Sequence, residues 1–279
     1  MSDKARAACV IGWPVEHSRS PLIHNYWIRQ LGIAGEYRRE AVRPEHLADF
    51  LVGLAERGYV GAGVTLPHKE AALALSSPDK GAKAIGAANT LWLDGSILRS
   101  TNTDVEGFLA NLDEMVPHWG RGLQRAMVLG AGGAARAVIY GLIMRGIPRI
   151  EVLNRNFSRA QKLHDFFGPT VFPTSWEKMD ELLGQADLVV NTTSLGMRGQ
   201  PALDLDIDKL SPSAIVADIV YTPFVTPLIA AARQRGLRHA DGLGMLLHQA
   251  VDGFSHWFGV KPQVTAELRS LVEADLVKT

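Results

Sequence analysis

The sequence predicts an α/β protein built of two α/β domains. Three observations carry that expectation: a glycine loop near the middle of the chain, apolar runs alternating with helical patterns on both sides of it, and a length of 279 residues, which suits two ordinary domains. The loop lies in "RAMVLGAGGAARAVIYGLI", where an apolar strand from Ala126 to Leu129 runs into Gly130, Gly132 and Ala135 and then into an amphipathic helix. This is the GxGxx[G/A] pattern in the setting it requires. Small residues let the backbone turn tightly and approach a pyrophosphate, and the helix N-terminus offers unpaired N–H groups to that anion. A tight turn with close helix-to-strand packing would use the same glycines; the strand before and the helix after favour the nucleotide.

The elements upstream of the loop follow in order. A strand near 7–12 leads to a helix from Pro21 behind a Ser20 cap. A strand near 36–42 leads to a helix from Pro44 that Gly58 stops, and a strand near 60–65 leads to a helix from Pro67. This βαβαβ series predicts a mainly parallel sheet covered by helices. The stretch "ANTLWLDGSILRSTNTD" breaks it with two extended runs about Asp94-Gly95, a hairpin turn pair. From Val105 a helix leads into the glycine loop, and strands near 149–153, 187–190 and 215–219 alternate with helical segments to give a second, Rossmann-type unit. The tail "GLGMLLHQAVDGFSHWFGV" and a helix from Pro262 show helical periodicity and no further strand. The domain expectation is therefore residues 1–104 plus 242–279 for the first domain and 105–241 for the second.

Composition narrows the function. An apolar content of 47% with 21% charged residues supports filled cores and argues against disorder. Lys plus Arg equals Asp plus Glu at 29 each, so no net field draws the chain to nucleic acid or to an anionic membrane. The lone Cys9 cannot form an intrachain disulfide and fits burial in a reducing compartment. Neither CxxC nor HExxH spacing occurs, so no metal is expected. The apolar stretches are short or interrupted, which predicts no signal or membrane segment and, by default, a cytoplasmic location.

In a dinucleotide-binding unit the end of the second strand distinguishes a ribose hydroxyl from a 2′-phosphate. Here "IEVL" ends in "NRNFSRA", which offers Asn154, Arg155, Asn156 and Arg159 and no carboxylate. Guanidinium groups pair with phosphate in a bidentate fork. Two solvated arginines at a helix start are the plain alternative, at an end where the dipole disfavours cations. NADP is the cofactor this pattern favours.

Several polar constellations sit at ends of expected strands or starts of expected helices: "GWPVEHSRSPLIHN", "GAGVTLPHK", "IGAANT", "STNTD" and "HQAVDGF". Ligands of open parallel sheets bind beyond the carboxyl ends of strands, so Ser18, Ser20, Thr65, Lys69, Asn89, Asp104 and Gln249 are expected to converge on one cleft. Hydroxyls and amides suit a small, polyhydroxylated ligand. Read singly, Ser20 also fits a helix cap, Asn89 a turn and Lys69 a solvated helix residue; jointly they point to a site.

Taken together with the glycine loop, these motifs make the chain resemble the shikimate dehydrogenase family, within the wider shikimate/quinate dehydrogenase group, nearly from end to end. The matching pieces run in order: "HSRSPLIHN", "VTLPHK", "GAANT", "NTD", "GAGGAARA", "NRNFSRA", "NTTSLGM", "ADIVYTP" and "DGLGMLLHQA". The resemblance implies an N-terminal substrate domain completed by the C-terminal helices, an NADP-binding domain between them, and a cleft joining the two. It implies reversible, NADP-dependent reduction of 3-dehydroshikimate to shikimate in aromatic amino-acid biosynthesis, by a monomer or homodimer whose partner is that small molecule. Lys69 and Asp104 become the catalytic pair, Ser18 and Ser20 hold the substrate carboxylate, and Thr65, Asn89, Tyr221 and Gln249 bind ring hydroxyls or carboxylate. The cofactor-binding set becomes Gly130, Ala131, Gly132, Gly133, Ala134, Asn154, Arg155, Asn156, Arg159, Thr192 and Gly242.

Three positions depart from the family pattern: Gly63 stands where "NVT" usually has Asn, Ser100 where a Gly usually precedes "xNTD", and Asn156 where the adenosine-phosphate loop has a hydroxyl residue. The loss at 63 keeps open a paralogue acting on quinate or an aminoshikimate analogue; an NADP-binding regulatory module without turnover is a separate alternative, and the presence of both Lys69 and Asp104 argues against it. The loss at 63 also sets an expectation: Gly63→Asn should lower KM for shikimate and leave the melt unchanged.

Overall fold

A computed structural model of the chain describes residues 6–278; residues 1–5 and 279, at the ends of the expected substrate domain, lie outside the described residues. The chain divides into two units, Met1–Asp104 with Leu246–Val272 and Val105–Met245 with Glu273–Thr279.

The first unit holds β1 (Arg6–Gly12), α1 (Ser20–Gln30), β2 (Gly35–Ala41), α2 (Leu47–Val52), β3 (Tyr59–Val64), α3 (Lys69–Ala74), β4 (Ser77–Pro78), α4 (Lys80–Ile85), β5 (Thr90–Asp94) and β6 (Ile97–Thr101). Its sheet runs β2-β1-β3-β5-β6-β4. β1 pairs in parallel with β2 and β3, whereas β5 is antiparallel to both β3 and β6. The parallel βαβαβ series is present, with the Asp94-Gly95 hairpin joined to its β3 edge and Gly95 at φ 60° in the turn.

Four local details differ from expectation. α2 ends at Val52 with Gly53 as its C-cap residue, so Gly58 does not stop it. Ser20 does not cap α1; it is the first helical residue, and its N–H donates to the Ser18 hydroxyl at 3.3 Å. The Pro44 segment begins as a short 3-10 turn, Pro44–His46, before α2, because the proline's missing N–H suits only the first turn. The Leu66–Pro67 peptide bond is cis, and α3 starts at Lys69, two residues after the expected first position.

Two clusters of different chemistry fill this unit. Cys9, Ile11, Val42, Leu47, Phe50, Leu54, Ala62, Val64 and Leu91 form a mainly aliphatic core. Burial holds the Cys9 thiol neutral by raising its pKa, so it packs as a small apolar side chain. Elsewhere in the unit His24, Trp27, Tyr37, Phe254 and Trp257 form an aromatic cluster, with the His24 ring stacked on Tyr37 at 4.1 Å between centroids. Desolvation depresses the His24 pKa to about 3, so the ring is neutral.

The second unit holds α5 (Asp104–Met115), whose first residue belongs to the first unit, then β7 (Arg125–Leu129), α6 (Gly133–Met144), β8 (Arg149–Asn154), α7 (Phe157–Phe167), β9 (Val171–Ser175), α8 (Met179–Leu182), β10 (Leu188–Asn191), β11 (Ile215–Asp218), α9 (Pro227–Gln234) and β12 (Arg238–Ala240). The helices α10 (Gly242–Phe258) and α11 (Ala266–Lys278) complete the chain. Its sheet is wholly parallel in the order β12-β11-β10-β7-β8-β9, so the strand order reverses between β7 and β10. Alternate residues supply two cores: Ala126 and Val128 join Val138, Leu142, Ile150 and Val152, while Met127 and Leu129 join Leu153, Val189 and Val216. A sheet buried on both faces is the expected form of a doubly wound unit. Among the described residues no helix is long and apolar enough to cross a membrane.

Candidate active site

In the first unit, Lys69 opens α3 and Asp104 begins α5, and the Lys69 ammonium donates a hydrogen bond to Asp104 Oδ2. Both side chains are largely buried, with 14% and 7% of their surface exposed, so water screens the pair weakly. The other carboxylate oxygen, Oδ1, accepts from Asn89 Nδ2 at 2.8 Å. Asn89 also donates to Thr103 Oγ1 at 3.0 Å and toward Gln249 Oε1 at 3.5 Å, while its own Oδ1 accepts from the Thr103 N–H at 2.9 Å. Asp104 is therefore oriented through both oxygens. Lys69 spends one of its three donors on it and keeps two for another group.

The backbone explains why these residues meet. The Lys69 carbonyl accepts from the Ala88 N–H at 2.9 Å, and the Asn89 carbonyl accepts from the Val64 N–H at 2.7 Å, so the loop "GAANT" is stitched between α3 and the end of β3. Asn102 Nδ2 donates to the Ala87 carbonyl and its Oδ1 accepts from the Asp104 N–H, which ties "NTD" to the same loop. Asn102 and Thr103 are functional supports that sequence reasoning left unnamed inside a motif it had quoted. Thr103 Oγ1 also donates to the Gln249 backbone carbonyl at 2.7 Å, anchoring α10 beside the pair.

The other expected residues lie in separate loops and helix starts. Ser18 lies in the turn between β1 and α1 and Ser20 opens α1; the Ser18 carbonyl accepts from Arg39. Thr65 directly follows β3, and its N–H donates to the Ile11 carbonyl at 2.9 Å; the Trp13 N–H donates to the Leu66 carbonyl at 3.0 Å and joins the two loops. Tyr221 belongs to the second unit, in the loop after β11.

Gly63 occupies a place already filled. A Cβ built there would come 2.6 Å from Tyr37 Oη, and the tyrosine ring is held by its stack on His24 and its contact with Trp257. Gly63 is not among the positive-φ residues, so space and not backbone conformation selects glycine. The structure thus opposes the expectation of an unchanged melt. Gly63→Asn is expected to lower Tm, at a cost of about 1–3 kcal/mol for overpacking, and Tyr37→Phe in the same chain should recover part of the loss; a single variant melting with the parent would refute this.

In the second unit, Gly130 follows β7 at φ 107°, a backbone only glycine adopts readily, and its N–H donates to the Leu153 carbonyl at 2.7 Å. A Cβ there would also meet Thr192 Oγ1 at 2.8 Å. Gly132 is the N-cap residue of α6 and no side chain caps the helix, so its first N–H groups, beginning with Gly133 and Ala134, are left for an external acceptor. Ala131 lies between the two glycines. At the end of β8, Asn154 Nδ2 donates to the Asn156 carbonyl, and Asn156 Oδ1 caps α7 by accepting from Ser158. Arg155 and Arg159 are exposed beside that cap and make no ion pair among the described residues. The glycine loop and the arginines fit a dinucleotide carrying an extra phosphate. Thr192 is turned to other work, since its hydroxyl donates to the Leu129 carbonyl at 2.6 Å. Gly242 lets α10 approach β11: its Cβ would lie 2.5 Å from the Ile219 carbonyl oxygen.

Known families agree with this geometry. Residues 10–91 match the model of the shikimate dehydrogenase substrate binding domain, 120–197 that of shikimate / quinate 5-dehydrogenase, and 242–266 that of the shikimate 5'-dehydrogenase C-terminal domain. A protein of Nitrobacter hamburgensis named shikimate dehydrogenase (NADP(+)) is 62% identical over 273 residues, covering 98% of this chain and 95% of the relative. One of the same name from Rhodopseudomonas palustris strain TIE-1 is 60% identical and covers 99% of both chains. Among solved structures, a quinate dehydrogenase from Corynebacterium glutamicum in complex with NAD superposes with a TM-score of 0.89 at 31% identity, over 97% of this chain and 99% of that one. The shikimate 5-dehydrogenase from Thermus thermophilus in complex with NADP(H) and shikimate gives 0.84 at 33% identity, over 98% and 99%. Full-length similarity at this level, on top of the Lys69–Asp104–Asn89 network, places the chain in the shikimate dehydrogenase family.

Proposed function

We propose that this protein is an NADP-dependent shikimate dehydrogenase, reversibly reducing 3-dehydroshikimate to shikimate in aromatic amino-acid biosynthesis, in the cytoplasm and as a monomer or homodimer. The observation that carries the reading is the buried Lys69–Asp104 pair, oriented by Asn89, in a chain 60–62% identical over almost its whole length to proteins named shikimate dehydrogenase (NADP(+)). In this reading residues 1–104 and 242–279 form the substrate domain and 105–241 the cofactor domain.

When bound, NADPH supplies the hydride. The carbonyl oxygen of the ketone then gains negative charge and needs a proton donor within hydrogen-bond reach, and Lys69 Nζ is that donor. In the reverse direction Lys69 takes the proton back from the ring hydroxyl. Asp104 keeps the ammonium aimed and paired, and Asn89 keeps Asp104 from turning. Ser18 and Ser20 hold the substrate carboxylate; Thr65, Asn89, Gln249 and Tyr221 bind ring hydroxyls or carboxylate. Gly130 to Ala134 receive the pyrophosphate, Thr192 and Gly242 border it, and Asn154, Arg155, Asn156 and Arg159 receive the adenosine 2′-phosphate.

Initial rates with shikimate and with quinate, each against NADP and NAD, test the reading. Shikimate with NADP should give the highest kcat/KM, and preference for quinate, or no turnover of either acid, would overturn it. Cofactor choice has its own prediction. Arg155→Ala should raise KM for NADP roughly tenfold or more, the equivalent of a charge-assisted contact of about 1.5–3 kcal/mol, and barely change that for NAD. Equal loss with both cofactors would show that Arg155 does not address the 2′-phosphate.

A further inference from the structure

The second unit buries a carboxylate that the chemistry above does not use. Asp218 ends β11, is 2% exposed, and pairs with no cation among the described residues. Its Oδ1 accepts from Asn191 Nδ2 and from the Val220 N–H, each at 3.0 Å, and its Oδ2 accepts from Thr226 Oγ1 at 2.7 Å. Burial pushes this carboxyl up to about 6, against the pull of those three donors. A buried charge without a counter-charge is costly, and such groups persist where geometry depends on them.

The donors lead outward in two directions. Asn191, at the end of β10, also donates to the Leu195 carbonyl, and its Oδ1 accepts from the Thr193 N–H and hydroxyl; Thr193 Cγ2 and Thr192 Oγ1 are what a Cβ at Gly130 would strike. Thr226 caps α9, and Val220 directly precedes Tyr221. One carboxylate thus ties the loop that abuts the glycine turn to the loop that carries Tyr221. In an open parallel sheet the ligand lies at the carboxyl ends around the order reversal, here between β7 and β10. The arginines stand at β8 and the glycine loop at β7, so the far end of a dinucleotide runs toward β10 and β11.

We propose that Asp218 is a positioning residue for the nicotinamide end of the cofactor, acting through the Asn191–Thr193 loop and the Val220–Thr226 loop without touching the cofactor itself. This rests on the NADP-dependent reading above. The test compares dissociation constants for NADP and for adenosine 2′,5′-bisphosphate, a probe that carries the phosphate-bearing end and lacks nicotinamide. Asp218→Ala should weaken NADP about tenfold and lower kcat, while the bisphosphate affinity stays within about twofold. Asp218→Asn, which keeps the Oδ1 acceptor for Asn191 and Val220, should recover most of the NADP affinity. Thr226→Val, which removes one of the three donors together with the side-chain cap of α9, should show a smaller loss of the same selective kind and serves if the alanine variant does not fold. Equal weakening of both ligands, or no change in either, would overturn the proposal. A parent protein that binds NADP but turns over neither acid would refute the assigned reaction and leave this comparison valid; one that binds neither ligand would overturn both.

Discussion

Lys69→Ala should keep the fold and the affinity for NADP while kcat falls about 10²- to 10⁴-fold, the range expected when a positioned acid is removed. The loss falls on the rate because the ammonium's role grows as charge develops on the carbonyl oxygen, whereas its ground-state contact with a neutral ketone is weak. The fold should survive because Asp104 retains the Asn89 amide at 2.8 Å, though with a lowered Tm, since the buried carboxylate loses its cation. Asp104→Asn should also lower kcat. Its amide must turn one N–H toward either Lys69 or Asn89, and both already present donors to those two oxygens. Stopped-time assays of NADPH absorbance, with NADP titrations of each variant, check this. Near-parental turnover in Lys69→Ala would remove Lys69 as the acid.

Much of this was legible in the sequence, for reasons that are local. The glycine loop, the hairpin at Asp94-Gly95 and the strands before Ser18, Thr65 and Arg155 are each specified by residues within a few positions, through turn conformation, helix entry or apolar runs. What escaped was non-local or short. β9 carries Pro173 and a mostly half-buried pattern at a sheet edge, β12 has three residues and β4 two, so none offers a periodic signal. The Ser20 cap failed because Ser18, two residues earlier, supplies the acceptor. The last helix begins at Ala266 and not at Pro262. In the site, Lys69 and Asp104 were readable as types, but the bond between them spans 35 residues and depends on the register of β3, β5 and β6. The reason for Gly63 was least visible. It is the hydroxyl of Tyr37, two strands away across β1.

Gly61→Ala should be the most damaging single-methyl change in the substrate-side unit. The added Cβ would overlap both the Leu91 carbonyl oxygen and Trp257 Nε1, whose own hydrogen bond at 2.8 Å joins α10 to β5. Neither neighbour can give cheaply: Leu91 belongs to the ladder beside β3, and Trp257 is 3% exposed within the aromatic cluster. Overpacking costs about 1–3 kcal/mol and the lost hydrogen bond about 1 kcal/mol more, so a fall in Tm of about 10 °C is expected. The effect should reach the site as well. Gln249, Gly253 and Trp257 recur at four-residue steps on one stripe of α10, so moving Trp257 turns the stripe whose other end meets Asn89 and Thr103. KM for shikimate should rise in Gly61→Ala at temperatures below its melt, with the NADP dissociation constant unchanged. Trp257→Phe, which withdraws Nε1 and shortens the ring, should cost stability alone but less when combined with Gly61→Ala, so the two changes should be strongly non-additive. Additive losses, or a Gly61→Ala protein that melts with its parent, would show that α10 is not held to the sheet through this contact.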